Sequence, residues 1–343
     1  MKNYYEELDI ARGIAILGVI TIHTSSLYLS RTYNYNLKII NILAQFSVPL
    51  FIFISGFLHK NIFVFEGDKE RRYYIYKRFR RIIFPYLFFS IVYMFIRIII
   101  ENTPYLNSFL PIRYNSIEYI IQAILLVKNN PAGHLYFLPL LFLVFLVFTL
   151  LEILFKKKKT LYITCIIISS LAYAFWGNIY LSLNPLKGIG FYAMGYALRD
   201  SPFYNKLYNL NSYIVLFLSL FLIFIIGYLN ISIALIKHIF AFGMQIFGAL
   251  FIYQISLYLC KSQSKQIFSL TLSNIGKYSF DIYLLHEPYI VTVFFVVLIQ
   301  LSLINVVLNQ SILLDLGIII PLLLSHLWLR RNRIFRQYLL GLD

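Results

Sequence analysis

The chain has 343 residues, of which 60% are hydrophobic and only 13% are charged. A soluble globular domain carries roughly 25% charged residues, so this composition excludes a water-soluble fold and predicts an integral membrane protein. The net charge of +16 would suggest nucleic-acid binding in a soluble protein. In a membrane protein, however, positive charge collects on the cytoplasmic side of the bilayer.

A helix that crosses the bilayer needs about 20 mostly apolar residues. The sequence predicts an all-α polytopic bundle that forms a single domain over 1–343, with a cytoplasmic basic loop at 60–81 and an outer loop at 101–133. Within the outer loop, 117–127 is too short to span and is expected to be interfacial or re-entrant. About ten transmembrane helices are predicted, at 10–30, 42–59, 82–100, 134–155, 161–177, 186–198, 213–229, 233–256, 279–300 and 305–328.

The distribution of lysine and arginine tests this topology independently. With the N-terminus in the cytoplasm, 23 of the 30 basic residues fall in segments predicted to be cytoplasmic. An error of one span would invert every later loop and destroy this bias. Both termini are therefore predicted to be cytoplasmic, and no nucleic-acid partner is needed to explain the charge.

The first predicted helix carries ionisable residues at membrane depth, where such groups are costly and usually mark function. Arg12 and His23 are eleven residues apart, which is nearly three helical turns, so both face the same way about 16 Å apart. Asp9 lies three residues before Arg12 and can pair with it. A simpler interpretation also stands, in which Arg12 anchors the helix at the membrane surface and His23 bonds a neighbouring helix.

Further segments combine polar residues with apolar helices. They are PLFIFISGF, which contains Ser55; KRFRRIIFPY, which contains Arg78 and Arg81; HLYFLPLLFL, which contains His134 and Tyr136; and IGKYSFDIYLLHEPY, which contains His286 and Glu287. A fifth segment, FYAMGYALR, covers the sixth predicted helix.

Together with the Arg12–His23 spacing, these segments resemble, in order and over nearly the whole chain, the acyltransferase-3 family of membrane-integral acyltransferases. In that family the histidine is regarded as essential and the paired arginines are associated with acyl-CoA. The resemblance implies His23 and Arg12 as catalytic residues. It implies a donor site formed by Arg12, Arg78, Arg81 and Asp9. Tyr136 stands where members usually have tryptophan, and an amphipathic aromatic side chain is retained.

The resemblance implies transfer of an acyl group, with acetyl as the expected case, from cytoplasmic acyl-CoA to a hydroxyl of an extracytoplasmic or lipid-linked carbohydrate. Acyl-CoA would be a co-substrate, and we expect no permanently bound cofactor and no metal. The expected partners are the carbohydrate acceptor, the lipid bilayer and glycan-assembly proteins, and the expected location is the bacterial cytoplasmic membrane. His23 could act as a general base or carry the acyl group itself.

Five further residues are candidates for lining the site: Ser55, His134, Tyr136, His286 and Glu287. For His286 and Glu287 a packing role is an equal alternative, and for His134 an interfacial structural role is the alternative. His59, near a cytoplasmic helix end, is expected to be interfacial.

Other functions are compatible with parts of the sequence. The basic segment could simply contact anionic lipid headgroups. The chain could be an exporter or flippase of a surface polysaccharide or glycolipid, which would favour inverted repeats and matching broken helices. It could also be a scaffold for glycan assembly, in which case His23 would be replaceable.

Overall fold

The computed structural model describes residues 4–31, 34–103, 116–125, 127, 130–155, 157–175, 184–200, 234–261, 266–300, 306–333 and 335–340. Within these ranges the chain is helical and contains no strand. The helices are α1 (Glu6–Leu29), α2 (Tyr35–Ala44), α3 (Ser47–Phe57), α4 (Asp68–Glu101), α5 (Ile117–Leu125), α6 (Phe137–Leu154), α7 (Lys158–Phe175), α8 (Pro185–Asp200), α9 (Ala234–Lys261), α10 (Gln266–Lys277), α11 (Ser279–Leu285), α12 (Val291–Gln300) and α13 (Val306–Leu324).

Short turns complete the described architecture. Two 3₁₀ turns precede α4 and α6, at Ile62–Val64 and Gly133–Tyr136. An irregular turn at His286–Ile290 separates α11 from α12, and π turns at Ser325–Leu329 and Phe335–Leu339 follow α13.

Seven helical segments of the described chain are long and apolar enough to cross a membrane. The protein is therefore an all-α, multi-pass membrane protein, as the composition predicts. Two predicted spans, 161–177 and 186–198, correspond to α7 and α8, which are not among the seven. At 16 residues, α8 is shorter than the roughly 20 residues that cross the hydrocarbon core. The predicted span 213–229 lies outside the described residues, so ten helices remains a prediction.

The predicted basic loop at 60–81 is wrong from Asp68 onward, because α4 begins there. No glycine or proline interrupts the chain from Asp68 until Pro85, so nothing in this stretch breaks the helix. Asp68 and Glu70 lie in the first turn of α4, where negative charge stabilises the helix dipole. The basic side chains therefore lie on a rigid helix that continues into the membrane.

Two other predicted spans are each divided. The span predicted at 42–59 contains a break at Gln45–Phe46 between α2 and α3. The span predicted at 279–300 breaks at Glu287, whose backbone is extended (φ −122°, ψ 158°). The next residue is Pro288, and proline disfavours the α conformation in the residue before it. This break directs the side chains around His286 into the bundle.

Helix α1 lies at the centre of the bundle and packs against α2, α3 and α9 to α13. Its closest neighbour is α10, a helix that the sequence analysis placed within a cytoplasmic connection. Gly13 lies against the backbone carbonyl of Leu272, and Gly276 lies against that of Asp9. The absence of a side chain at both glycines lets the two backbones touch. Helix α8 packs in the same close manner on α3.

Candidate active site

Three histidines from distant parts of the chain meet at the C-terminal end of α1. His23 projects from α1, His134 from the turn before α6, and His286 from the break after α11. The ring centroids of His23 and His286 are 5.2 Å apart, those of His134 and His286 are 5.1 Å apart, and those of His23 and His134 are 6.2 Å apart. His134 and His286 are buried, whereas His23 is half-buried.

Hydrogen bonds assign the proton of His286. Its Nδ1 lies 3.1 Å from the carbonyl oxygen of Ile282 and 3.0 Å from that of Tyr283. A carbonyl can only accept, so Nδ1 carries the hydrogen and, in the neutral ring, Nε2 carries a lone pair. Among the described residues, the Nε2 atoms of His286 and His134 are buried without a hydrogen-bond partner. Buried polar atoms are usually paired, so these two nitrogens are candidate contacts for a substrate hydroxyl.

Three tyrosines hold the backbone around these histidines. The hydroxyl of Tyr93 donates to the carbonyl of Leu284 over 2.7 Å, and that of Tyr289 donates to the carbonyl of Tyr93 over 3.0 Å. The hydroxyl of Tyr283 donates to the carbonyl of His134. These bonds connect α4, the turn before α6 and the broken helix formed by α11, the turn at His286–Ile290 and α12. The backbone that carries His134 and His286 is therefore held in place by its neighbours.

A cavity of about 370 Å³ lies beside His23, at the C-terminal end of α1. Six of its ten lining residues have polar side chains. Among them, Glu287 accepts a hydrogen bond of 3.0 Å from Thr292. The volume is in the range of small-ligand sites. The lining residues are His23, Ser26, Leu27, Ser30, Pro131, Gly133, His134, Glu287, Pro288 and Thr292.

Asn41 of α2 fixes the wall of this cavity. Its side-chain amide donates to the carbonyl of Ile22 over 3.2 Å, to Ser25 over 2.8 Å and to Ser26 over 3.0 Å. These bonds hold α2 against the turn of α1 that carries His23. Asn41 was not among the residues predicted from the sequence, although an amide in an apolar helix is a signal for an interhelical hydrogen bond.

Arg12 does not lie with the histidines, because eleven residues of α1 separate it from His23 by about 16 Å. It forms an ion pair of 2.5 Å with Asp9, which is buried and also accepts a hydrogen bond of 2.9 Å from Tyr4. The predicted pairing of Asp9 with Arg12 is therefore confirmed.

The predicted donor arginines of α4 differ in their surroundings. Arg78 donates to the hydroxyl of Ser55 over 3.2 Å and to the carbonyl of Leu58 over 3.3 Å. Its guanidinium lies over the ring of Phe145, 5.3 Å from the centroid. Arg81, by contrast, is exposed. The structure thus brings Ser55 and Arg78 together, away from the histidine cluster.

Helical distances place these arginines and the histidines at opposite ends of the bundle. On α4, Arg78 precedes Tyr93 by fifteen residues, or about 22 Å, and Tyr93 lies against His134. Tyr136 shares the turn of His134 and packs against the main core, but it is not among the residues that line the cavity.

The prediction that His59 is interfacial is wrong, because its side chain is completely buried. It lies between Glu152 of α6 and Tyr192 of α8. Its position three residues after Gly56 suggested a helix end at the membrane surface, but α6 and α8 cover it. Sequence reasoning did not single out Glu152 either, since it precedes a run of four lysines that resembles an ordinary cytoplasmic boundary.

The fold and the site together define a multi-pass helical membrane protein with a buried histidine cluster beside a polar cavity. A family model described as an acyltransferase domain matches residues 5–327. The chain therefore belongs to the acyltransferase-3 family, as the sequence motifs predicted, and is a membrane acyltransferase. No curated protein and no solved structure gives a significant match to the chain.

Proposed function

We propose that this protein transfers an acyl group, with acetyl as the expected case, from cytoplasmic acyl-CoA to a hydroxyl of an extracytoplasmic or lipid-linked carbohydrate. The observation that carries the proposal is the meeting of His23, His134 and His286 beside a polar cavity. A neutral imidazole carries a lone pair on one ring nitrogen and can remove a proton from an attacking hydroxyl. His23 is the ring of the three that is both half-buried and part of the cavity wall, so it is assigned the central chemical role.

The cavity suits an acceptor with several hydroxyl groups. Ser26, Ser30, Thr292 and Glu287 offer hydrogen-bond donors and acceptors to such a molecule. His134, whose Nε2 is unpartnered, faces the same space. A sugar hydroxyl held between these groups and His23 would be positioned to attack a thioester.

The opposite end of the bundle suits the donor. Arg78 and Arg12 lie there, and a guanidinium binds phosphate oxygens with paired hydrogen bonds. We assign this end to the cytoplasm, where both termini would then lie, and the exposed Arg81 to the same donor surface. The donor would bind without a permanently held cofactor, in the bacterial cytoplasmic membrane, and glycan-assembly proteins would present the acceptor.

The decisive test follows the release of free CoA from acetyl-CoA, with and without candidate sugars, by the purified protein in nanodiscs. Replacing His23 by alanine should lower the rate about 10²–10⁴-fold, the usual contribution of a general base. His326→Ala is the matched control, since this histidine is exposed and should be dispensable. If a well-folded His23→Ala protein releases CoA as fast as the wild type, His23 is excluded as the catalytic group.

A second measurement separates the two possible roles of His23. Rapid quenching with radiolabelled acetyl-CoA should leave label on the protein only if the histidine carries the acyl group. A general base leaves no label, because the sugar attacks the thioester directly.

Export of a glycan is the second candidate, and one observation favours it. The helix break at His286–Ile290 lies beside the cavity, and transporters place broken helices at their substrate sites. Reconstituted vesicles distinguish the two functions. A transporter would move a labelled glycolipid across the bilayer without acetyl-CoA, whereas an acyltransferase would release CoA and leave an acylated sugar.

A further inference from the structure

A second buried polar cluster lies between α3, α6 and α8, away from the histidine cavity. His59 Nε2 lies 3.1 Å from Glu152 Oε2, and His59 Nδ1 lies 2.9 Å from the hydroxyl of Tyr192. Tyr196 donates to Glu152 Oε1 over 2.6 Å, and the backbone N–H of Ile62 donates to Oε2 over 3.2 Å. The side chains of His59 and Glu152 are 0% and 4% exposed.

The cluster forms a consistent chain of donors and acceptors. An ionised carboxylate only accepts, so His59 donates from Nε2 to Glu152 and accepts at Nδ1 from Tyr192. None of these side-chain atoms is among the buried polar atoms without a partner. Burying an ionised carboxylate is costly even when a neutral imidazole and a hydroxyl bond it, because the charge leaves water. Such a pair therefore calls for an explanation beyond stability.

The cluster fixes the short segment that follows α3. Glu152 of α6 bonds both the ring of His59 and the backbone of Ile62, so it holds both ends of that segment. The carbonyls at the end of a helix lack partners within the helix. Here Arg78 donates to the carbonyl of Leu58, and Arg199 donates to the carbonyls of Phe57 and His59.

The same cluster also shapes the aromatic surface under Arg78. The guanidinium lies over Tyr74 and Phe145, at 5.8 Å and 5.3 Å from their centroids. The ring of His59 packs against these two rings, at 6.1 Å and 5.7 Å. The backbone N–H of Lys60 donates to the hydroxyl of Tyr74 over 3.1 Å. The carbonyl of Leu58 and the ring of Tyr74, which both contact Arg78, are therefore held in place by the segment that Glu152 bonds.

We propose that His59 and Glu152 are positioning residues that hold Arg78 in the orientation that binds a phosphate group of the acyl-CoA donor. A guanidinium has five N–H donors, and Ser55, Leu58 and Tyr74 engage three of them, so donors remain for an anion. This inference rests on the proposed function, and it extends the donor site from the arginines to a buried pair on α3 and α6.

The test measures binding of CoA itself, together with kcat and KM for acetyl-CoA, in the full-length protein. Glu152→Gln keeps the shape of the side chain but removes the charge. It should raise Kd and KM for the donor at least about tenfold while kcat changes little, since a hydrogen bond to a charged group is lost. A merely structural role would lower the yield of folded protein and leave Kd unchanged.

Glu101→Gln is the matched control. Glu101 is 2% exposed and pairs with Arg97 over 2.6 Å on the same helix as Arg78, at its other end. This variant should bind CoA like the wild type. If Glu152→Gln fails to fold, Tyr196→Phe is the second variant. It removes only the hydroxyl that donates to the Glu152 carboxylate, and it should still raise the Kd for CoA.

A double-mutant cycle that combines Glu152→Gln with Arg78→Gln tests whether Glu152 affects CoA binding through Arg78. If Glu152 acts through Arg78, the two losses in affinity should not multiply, because contacting residues in one network are coupled. Full multiplication, or wild-type affinity in both Glu152→Gln and Tyr196→Phe, would overturn the inference while the donor assignment survives. A wild-type protein that binds no CoA would overturn the proposed function and the inference together.

Discussion

The contact between Gly276 and the backbone of Asp9 gives a quantitative test of how α10 positions the active site. A Cβ atom added at Gly276 would lie 1.8 Å from the carbonyl oxygen of Asp9, whereas real Cβ contacts stay above 3.0 Å. The obstacle is backbone and cannot rotate away, so Gly276→Ala must part α1 and α10 by about 1.2 Å. Overpacking of this kind costs about 1–3 kcal/mol.

The displacement should reach the histidine cluster. Only Tyr278 separates α10 from α11, and the irregular turn that carries His286 follows directly. A misplacement of about 1 Å between reacting groups can lower a rate about 10²-fold. Gly276→Ala is therefore expected to lose most of its acyl transfer and part of its stability.

The assay compares CoA release and thermal unfolding of purified Gly276→Ala and wild-type protein in the same detergent. Gly67→Ala is the control, because a Cβ there meets nothing within 4 Å. As a substitution at the N-cap of α4, it should cost no more than about 1 kcal/mol. Wild-type rate and stability in Gly276→Ala would show that the helices separate freely, and the argument from close packing would fail.

Two further substitutions test the framework around the site. Asn41→Ala removes the hydrogen bonds that hold α2 to the turn of His23, so it should destabilise the protein by about 1–2 kcal/mol. It should also lower the transfer rate while CoA binding stays unchanged. A matching loss of CoA affinity would contradict this expectation. Asp281→Asn breaks the ion pair with Arg330, which is 2.7 Å long and buried on the aspartate side, and should lower the free energy of unfolding by about 1.5–3 kcal/mol. A change below about 0.5 kcal/mol in thermal unfolding would show that the pair contributes little.

Much of the fold follows from composition and apolar length. The membrane class and the all-α bundle rest on hydrophobic segments that need only be counted. Helix α10 was not predicted, because its 12 residues are too few to span the membrane and basic residues adjoin it. The start of α4 was predicted too late in the sequence, because its basic side chains suggested a loop, although no residue between Asp68 and Pro85 would break a helix.

The candidate site could be predicted residue by residue but not as an arrangement. His23 stands out because an imidazole deep in an apolar helix is costly. His134 and His286 were candidates for lining the site, but the contact of their rings with His23 could not be inferred, since more than 100 residues separate each from the others in sequence. Their meeting depends on the angles between α1, α4 and the broken helix, which the sequence pattern does not encode.

The separation of the two ends constrains the proposed reaction. Arg12 lies about 16 Å from His23 along α1, and Arg78 lies about 22 Å along α4 from the tyrosine that contacts His134. A compact donor could not contact an arginine and the histidine cluster together. Acyl-CoA carries its phosphates and its thioester at opposite ends of a long flexible arm, so the phosphates can stay with Arg78 while the acyl group extends between the helices to His23. The reaction would then need only the acyl group, and not the charged nucleotide, to enter the membrane, which avoids the cost of burying phosphate charge.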